Sequence, residues 1–143
     1  MKRIFLDANI IVDLLCERYP WFPCVMRIFN MADLGQIELY CSSLSLGTAS
    51  YLMETRKMST QDIFDNIDLL CQLCTPSTVD ASVVRQALDS DFTDFEDALQ
   101  YFSAKTVDAD CIVTRNTKDF VGSDIPIYEL DEFMQLAAVA RGE

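Results

Sequence analysis

Short apolar runs alternate along this chain with stretches of helical periodicity, and that alternation restricts its fold more than any other feature. Residues 2–6, 37–41 and 110–114 read as strands, with residues 125–128 as a last short one. Between them lie helical segments. The first covers residues 8–17, with Ile10, Ile11, Leu14 and Leu15 on one side. A second is set off by Tyr19-Pro20-Trp21-Phe22-Pro23 and stopped by Gly35. A third is capped at Ser42-Ser43 and carries Leu44, Leu46, Tyr51 and Leu52. A fourth starts at Ser59 and lines up Ile63, Phe64, Ile67, Leu70 and Cys71. Pro76 marks a loop with room for a short strand towards Val79, and Asp80 caps a helix over residues 81–90. Residues 91–105 contain the next helix and residues 131–140 a closing one. Strands and helices in alternation call for a parallel sheet covered on both faces. Ligands of such sheets bind at the carboxyl ends of the strands, near a reversal in strand order.

Composition narrows the chemistry. With 143 residues, half of them hydrophobic, residues 1–143 are expected to form a single domain with a two-sided core. No histidine is present, which excludes acid–base and nucleophilic schemes built on one. The four glycines form no phosphate-cradling loop. A formal charge of −12 is unlike the basic footprint of most nucleic-acid binders. It favours a basic protein partner, or a cation that neutralises the acids locally. Met1-Lys2-Arg3 is followed by an apolar stretch too short for a signal peptide, and no run reaches the length of a membrane helix. The expectation is a cytoplasmic protein without membrane contact. Its six cysteines then need no disulfides, and Cys71 and Cys74, placed together in a helical stretch, read as core thiols rather than zinc ligands.

Carboxylates sit at the edges of three apolar segments. Asp7 ends the first strand, Asp94, Glu96 and Asp97 open a helix, and Asp119 follows the strand of residues 110–114. Each has an ordinary reading as a helix cap, first-turn acid or turn residue. Asp94 and Asp97, however, share a helix face at a spacing of i, i+3, where two like charges repel unless a cation or base lies between them. Brought together at the strand ends, these groups would make an oxygen-rich pocket for a hard divalent cation. Asn9 is placed to steady Asp7 or a cation's water. Arg115 and Lys118 read either as phosphate contacts or as exposed turn residues.

The stretch Ile4-Phe5-Leu6-Asp7-Ala8-Asn9-Ile10-Ile11-Val12-Asp13 resembles the opening of PIN domains, the metal-dependent ribonuclease fold of VapC-type toxins. Asp94-Phe95-Glu96-Asp97-Ala98-Leu99-Gln100 resembles the family's acidic helix start. Ile112-Val113-Thr114-Arg115-Asn116-Thr117-Lys118-Asp119-Phe120 resembles its last strand and turn, and the three occur in family order. The resemblance implies an α/β fold, a three-layer α/β/α sandwich around a parallel sheet of four or five strands. It implies cleavage of single-stranded RNA with Mg²⁺ or Mn²⁺ as cofactor and an antitoxin as partner. Asp7, Asp97 and Asp119 would be the catalytic acids and, with Asp94, the metal ligands. Asn9, Thr48, Thr114, Arg115, Asn116 and Lys118 would surround them, with Ser42 and Ser45 as further hydrogen-bond donors. Two positions depart from the family pattern. Thr48 stands where a Glu is usual, and Asn116 where many members carry Asp, which leaves Asp119 as the substitute.

Three functions follow from these readings. The first is a PIN-type ribonuclease, the toxin of a toxin–antitoxin pair. The second is a PIN-like protein- or RNA-binding module whose catalysis Thr48 has weakened. The third, a phosphatase with an Asp after its first strand, lacks the usual second Asp because position 9 is Asn. The apolar residues Trp21, Phe22, Met26 and Phe29 read as helical core or as a homodimer or antitoxin surface.

Overall fold

A computed structural model of the chain describes residues 2–142. Five strands form one sheet: β1 (Arg3–Leu6), β2 (Glu38–Ser42), β3 (Cys74–Ser77), β4 (Cys111–Val113) and β5 (Ile127–Tyr128). Their order is β3-β2-β1-β4-β5 and every pairing is parallel. Among the described residues the helices are α1 (Ala8–Leu15), α2 (Phe22–Asp33), α3 (Ser43–Thr55), α4 (Thr60–Cys71), α5 (Ala81–Leu88), α6 (Phe95–Thr106) and α7 (Leu130–Ala140). A 3-10 turn spans Thr117–Phe120. None of these helices is long and apolar enough to cross a membrane.

Successive strand residues point to opposite faces, so one short strand feeds two cores. Ile4 and Leu6 join Leu39, Cys41, Cys111 and Val113 on the face covered by α1 to α4 and α7. Phe5 and Ile112 point the other way, under Tyr101 and Ala104 of α6 and Phe120 of the 3-10 turn. Helix α5 packs on α6 through Val83, Ala87, Ala98 and Leu99. The result is the expected three-layer sandwich. Burial on both faces is also why residues 4–6 of β1 and all of β4 are unbroken apolar runs.

The start of each helix follows from local chemistry. The side chains of Asp7, Ser42, Ser59, Asp80 and Asp94 accept backbone amides at the first turns of α1, α3, α4, α5 and α6. Helix α2 ends at Asp33 with Leu34 as its cap, and Gly35 follows with a φ of 75°, costly for residues with a Cβ. The chain leaves β1 for β2 and β3 on one side, then returns to place β4 on the other. Strand order therefore reverses between β1 and β4, and the crevice at their carboxyl ends lies at that reversal.

Three expectations change. Cys71 and Cys74 do not share a helix: Cys71 ends α4 and Cys74 begins β3. Pro76 lies inside β3, earlier than the strand expected towards Val79. It is accommodated because β3 is an edge strand, with one side free of ladder bonds. Phe64, expected on the packed face of α4, is 70% exposed.

Ile112 is fully buried and lies in register with Phe5 and Ile127. Ile112→Ala is expected to cost about 2–5 kcal/mol of stability. The loss should be seen as a lower denaturant midpoint at unchanged slope. A loss below about 0.5 kcal/mol, typical of a surface position, would contradict this placement.

Candidate active site

Asp7 follows β1 directly, and the pairing of Leu6 with Val113 sets it beside Thr114, the residue after β4. The Asp7 amide donates to the Val113 carbonyl at 3.0 Å, carrying the ladder one step past the strand. Its buried carboxylate receives three donors. Oδ1 accepts from the Ala8 amide at 2.8 Å and from Gln100 Nε2 at 3.1 Å, and Oδ2 accepts from the Thr114 hydroxyl at 2.8 Å. A carboxylate offers about four lone-pair positions, so among the described residues one acceptor position remains, on Oδ2. Burial raises the Asp7 carboxyl above the ordinary range, while the bonds from Thr114, Ala8 and Gln100 pull it down.

Helix α6 is started by one acid and presents a second. Asp94 is exposed and caps the helix, its Oδ1 accepting the Asp97 amide at 3.0 Å. Burial pushes the Asp97 carboxyl up to about 7, and the charges of Asp119, Asp94, Asp7 and Glu96 add to the rise. Asp119, half-buried in the 3-10 turn, also raises Asp7. The three acids from distant parts of the chain therefore lie within one another's field.

The first of the turn's two basic residues, Arg115, is committed elsewhere. Arg115 Nε donates to Asp13 Oδ2 at 2.8 Å and its Nη2 to Asp13 Oδ1 at 3.2 Å. The guanidinium carbon lies 3.7 Å from the centroid of the Trp21 ring, a cation–π stack. Asp13 is 0% exposed and accepts a further bond from Arg18 Nε at 2.9 Å. Burial raises its carboxyl, and Arg115 and Arg18 oppose that rise. Asn9 closes the gap between α1 and the turn, its Oδ1 accepting the Arg115 amide and its Nδ2 donating to Thr114 Oγ1, both at 3.4 Å.

The other expected residues are more peripheral. Asn116 is exposed, and its backbone bonds Thr114 Oγ1 and the Asp119 amide. Lys118 is exposed on the 3-10 turn. Thr48 is half-buried on α3 and donates its hydroxyl to the Leu44 carbonyl of its own helix at 3.3 Å. Two residues at the centre of the arrangement were not singled out from the sequence, Gln100 and Asp13. Both are polar residues inside otherwise apolar helical stretches, and that is the signal that marks them. Gln100 is 1% exposed and among the described residues its Oε1 has no partner, which costs about 1–3 kcal/mol in a buried position.

Among the described residues no three His, Cys, Asp or Glu side chains are grouped tightly enough to hold an ion between them. Asp7, Asp97 and Asp119 act on one another through their charges without converging on one point. Their chemistry still fits a hard divalent ion: the donors are all oxygen and all of one sign, and Asp7 keeps one free acceptor position.

A parallel α/β/α sandwich with acids gathered at the β1–β4 crevice is the layout expected of a PIN domain. Residues 3–118 match the family model described as PIN domain, and the chain belongs to that family. It is 26% identical over 137 residues to Ribonuclease VapC1 of Aquifex aeolicus (strain VF5), with 94% of each chain covered. Its fold is similar to that in the crystal structure of VapBC2 from Rickettsia felis bound to a promoter DNA fragment. The TM-score is 0.64 at 15% identity, over 89% of this chain and 98% of that one. Mycobacterium tuberculosis VapC20, described as a sarcin-ricin loop cleaving toxin, gives 0.57 at 16% identity over 76% and 86%. FitAB bound to a DNA fragment gives 0.54 at 15% identity over 89% and 94%.

The raised Asp97 carboxyl fixes the sign of a pH effect. Its value is about 7 in the folded chain against 3.8 for the free group. The folded state therefore holds the proton over a range where the unfolded chain has lost it, and the stability this gives disappears as pH rises through 7. Asp7, also raised, acts in the same direction. In EDTA, the Tm is expected to fall between about pH 5 and about pH 8, and Asp97→Asn to flatten that fall. An identical slope in wild type and variant would contradict the assignment.

Proposed function

We propose that residues 1–143 act as one PIN domain, a cytoplasmic Mg²⁺- or Mn²⁺-dependent ribonuclease that hydrolyses phosphodiester bonds of single-stranded RNA. The same proposal makes it the toxin of a toxin–antitoxin pair. The observation that carries it is the gathering of Asp7, Asp97 and Asp119 at one crevice, with Asp97 pushed up to about 7. The likeness to a VapC ribonuclease and to VapBC and FitAB structures supports it.

Asp7, Asp97 and Asp119, with Asp94, would hold the cation. When bound, it supplies charge stabilisation at the phosphate and a lowered pKa for a water molecule. The protein's part is positioning. The donors from Ala8, Gln100 and Thr114 favour the charged form of Asp7 and fix its direction. Asn9 and Thr114 tie the turn carrying Asn116 and Asp119 to α1. Arg115 holds that turn through Asp13 and Trp21, while Lys118, exposed, is the better placed of the two for a phosphate. A basic antitoxin segment suits the charge of −12. A groove of about 580 Å³ lined by Leu14, Phe22, Met26, Phe29 and Leu69 would seat its apolar side chains, and a homodimer would use the same patch.

Thr48 favours a second reading, a PIN-like binding module with weakened catalysis. It brings no charge to the site, and its hydroxyl is bonded within α3. Incubation of single-stranded RNA with Mn²⁺ separates the two. Cleavage that stops in EDTA and falls to background in Asp7→Asn and Asp97→Asn supports the nuclease. RNA bound and left intact, or cleavage undiminished in both variants, rejects it.

A further inference from the structure

We propose that Gln100 is a positioning residue for Asp7, its amide fixing the carboxylate so that one Oδ2 position stays open for a divalent cation. The proposal rests on the cation-dependent reading above.

Gln100 Nε2 uses both hydrogens, one to Asp7 Oδ1 at 3.1 Å and one to Ser45 Oγ at 2.9 Å. Ser45 Oγ lies 2.9 Å from Ser42 Oγ, and Ser42 in turn accepts the Ser45 amide at 3.1 Å. A single side-chain amide thus links the end of β1, the first turn of α3 and the body of α6. Its carbonyl oxygen is buried with no partner among the described residues. Turning the amide over would set that oxygen against the Asp7 carboxylate and take away the donor that Asp7 Oδ1 now has. The orphaned oxygen is therefore the consequence of an orientation dictated by a charged Asp7 and by Ser45.

Gln100 also follows Asp97 by three residues, so both lie on one face of α6. The helix that brings Asp97 to the crevice carries the group that fixes Asp7, and one turn of α6 sets the two acids relative to each other. Helix α3, whose Thr48 hydroxyl is bonded to Leu44, is joined to the acids through Ser45 and Gln100.

Calorimetric titration of the full chain with Mn²⁺ tests this, using wild type, Gln100→Leu, Gln100→Glu and Ser45→Ala, each checked for folding by melting in EDTA. Gln100→Leu is expected to weaken Mn²⁺ binding on the order of 10-fold, the size typical of groups that orient a metal ligand. Its RNA cleavage should need correspondingly more Mn²⁺ at unchanged KM for RNA. Gln100→Glu keeps an oxygen but loses the donors, and should weaken binding at least as much. Ser45→Ala frees the amide and should give a smaller loss in the same direction; it decides the matter if the Gln100 variants do not fold. Wild-type affinity in the folded variants overturns the proposal and leaves the nuclease reading standing. Tighter binding by Gln100→Glu also overturns it, by making the side-chain oxygen at position 100 a ligand. A wild type that neither binds Mn²⁺ nor cleaves RNA overturns the cation reading, and this proposal with it.

Discussion

Asp7 stands beside Thr114 because β1 pairs in parallel with β4 across the reversal in strand order, and each contact at the crevice inherits that juxtaposition. Leu6 opposite Val113 is the last matched pair, and the chain turns away from the sheet on both sides immediately after it. The Asp7 carboxylate can then cap α1, accept Thr114 and meet Gln100 at once. A slip of one residue would exchange the faces of Phe5 and Leu6, so the two cores hold the register and the register holds the site.

Asp13, Asp7 and Asp97 receive three different treatments. Asp13 is wholly buried and has two arginines, one of them also stacked on Trp21. Its charge is neutralised within the fold, and it fastens the turn after β4 to α1. Asp7 is buried too, but is met by neutral donors alone, which direct it without cancelling its charge. Asp97 has neither remedy: burial and four neighbouring acids push it up to about 7. Charge left unbalanced at one place, in a chain that pairs Asp13 so fully, is what a divalent cation would relieve.

Much of this was legible in the sequence. Fully buried strands leave continuous apolar runs, and Asp7, Ser42, Asp80 and Asp94 announce the helices they cap. The ends of the strands could therefore be placed, and with them the candidate acids. Partnership across the chain was less legible. Arg115 read equally as a phosphate contact because nothing local ties it to Asp13, which lies 102 positions away. Gln100 passed as one polar residue in a helix, since its two acceptors come from residues 7 and 45. The β3 boundary was missed for a related reason. Pro76 argues against a strand locally, and only the position of β3 at the sheet edge permits it.

The proposed function stands on Asp7, Asp97 and Asp119 sharing one divalent cation. Anomalous diffraction from a crystal of the full chain soaked in Mn²⁺ tests it most directly. The account predicts a peak in contact with Asp7 Oδ2 and with the carboxylates of Asp97 and Asp119, drawn in around it. A well-occupied peak elsewhere on the surface, with none between these three side chains, would contradict it.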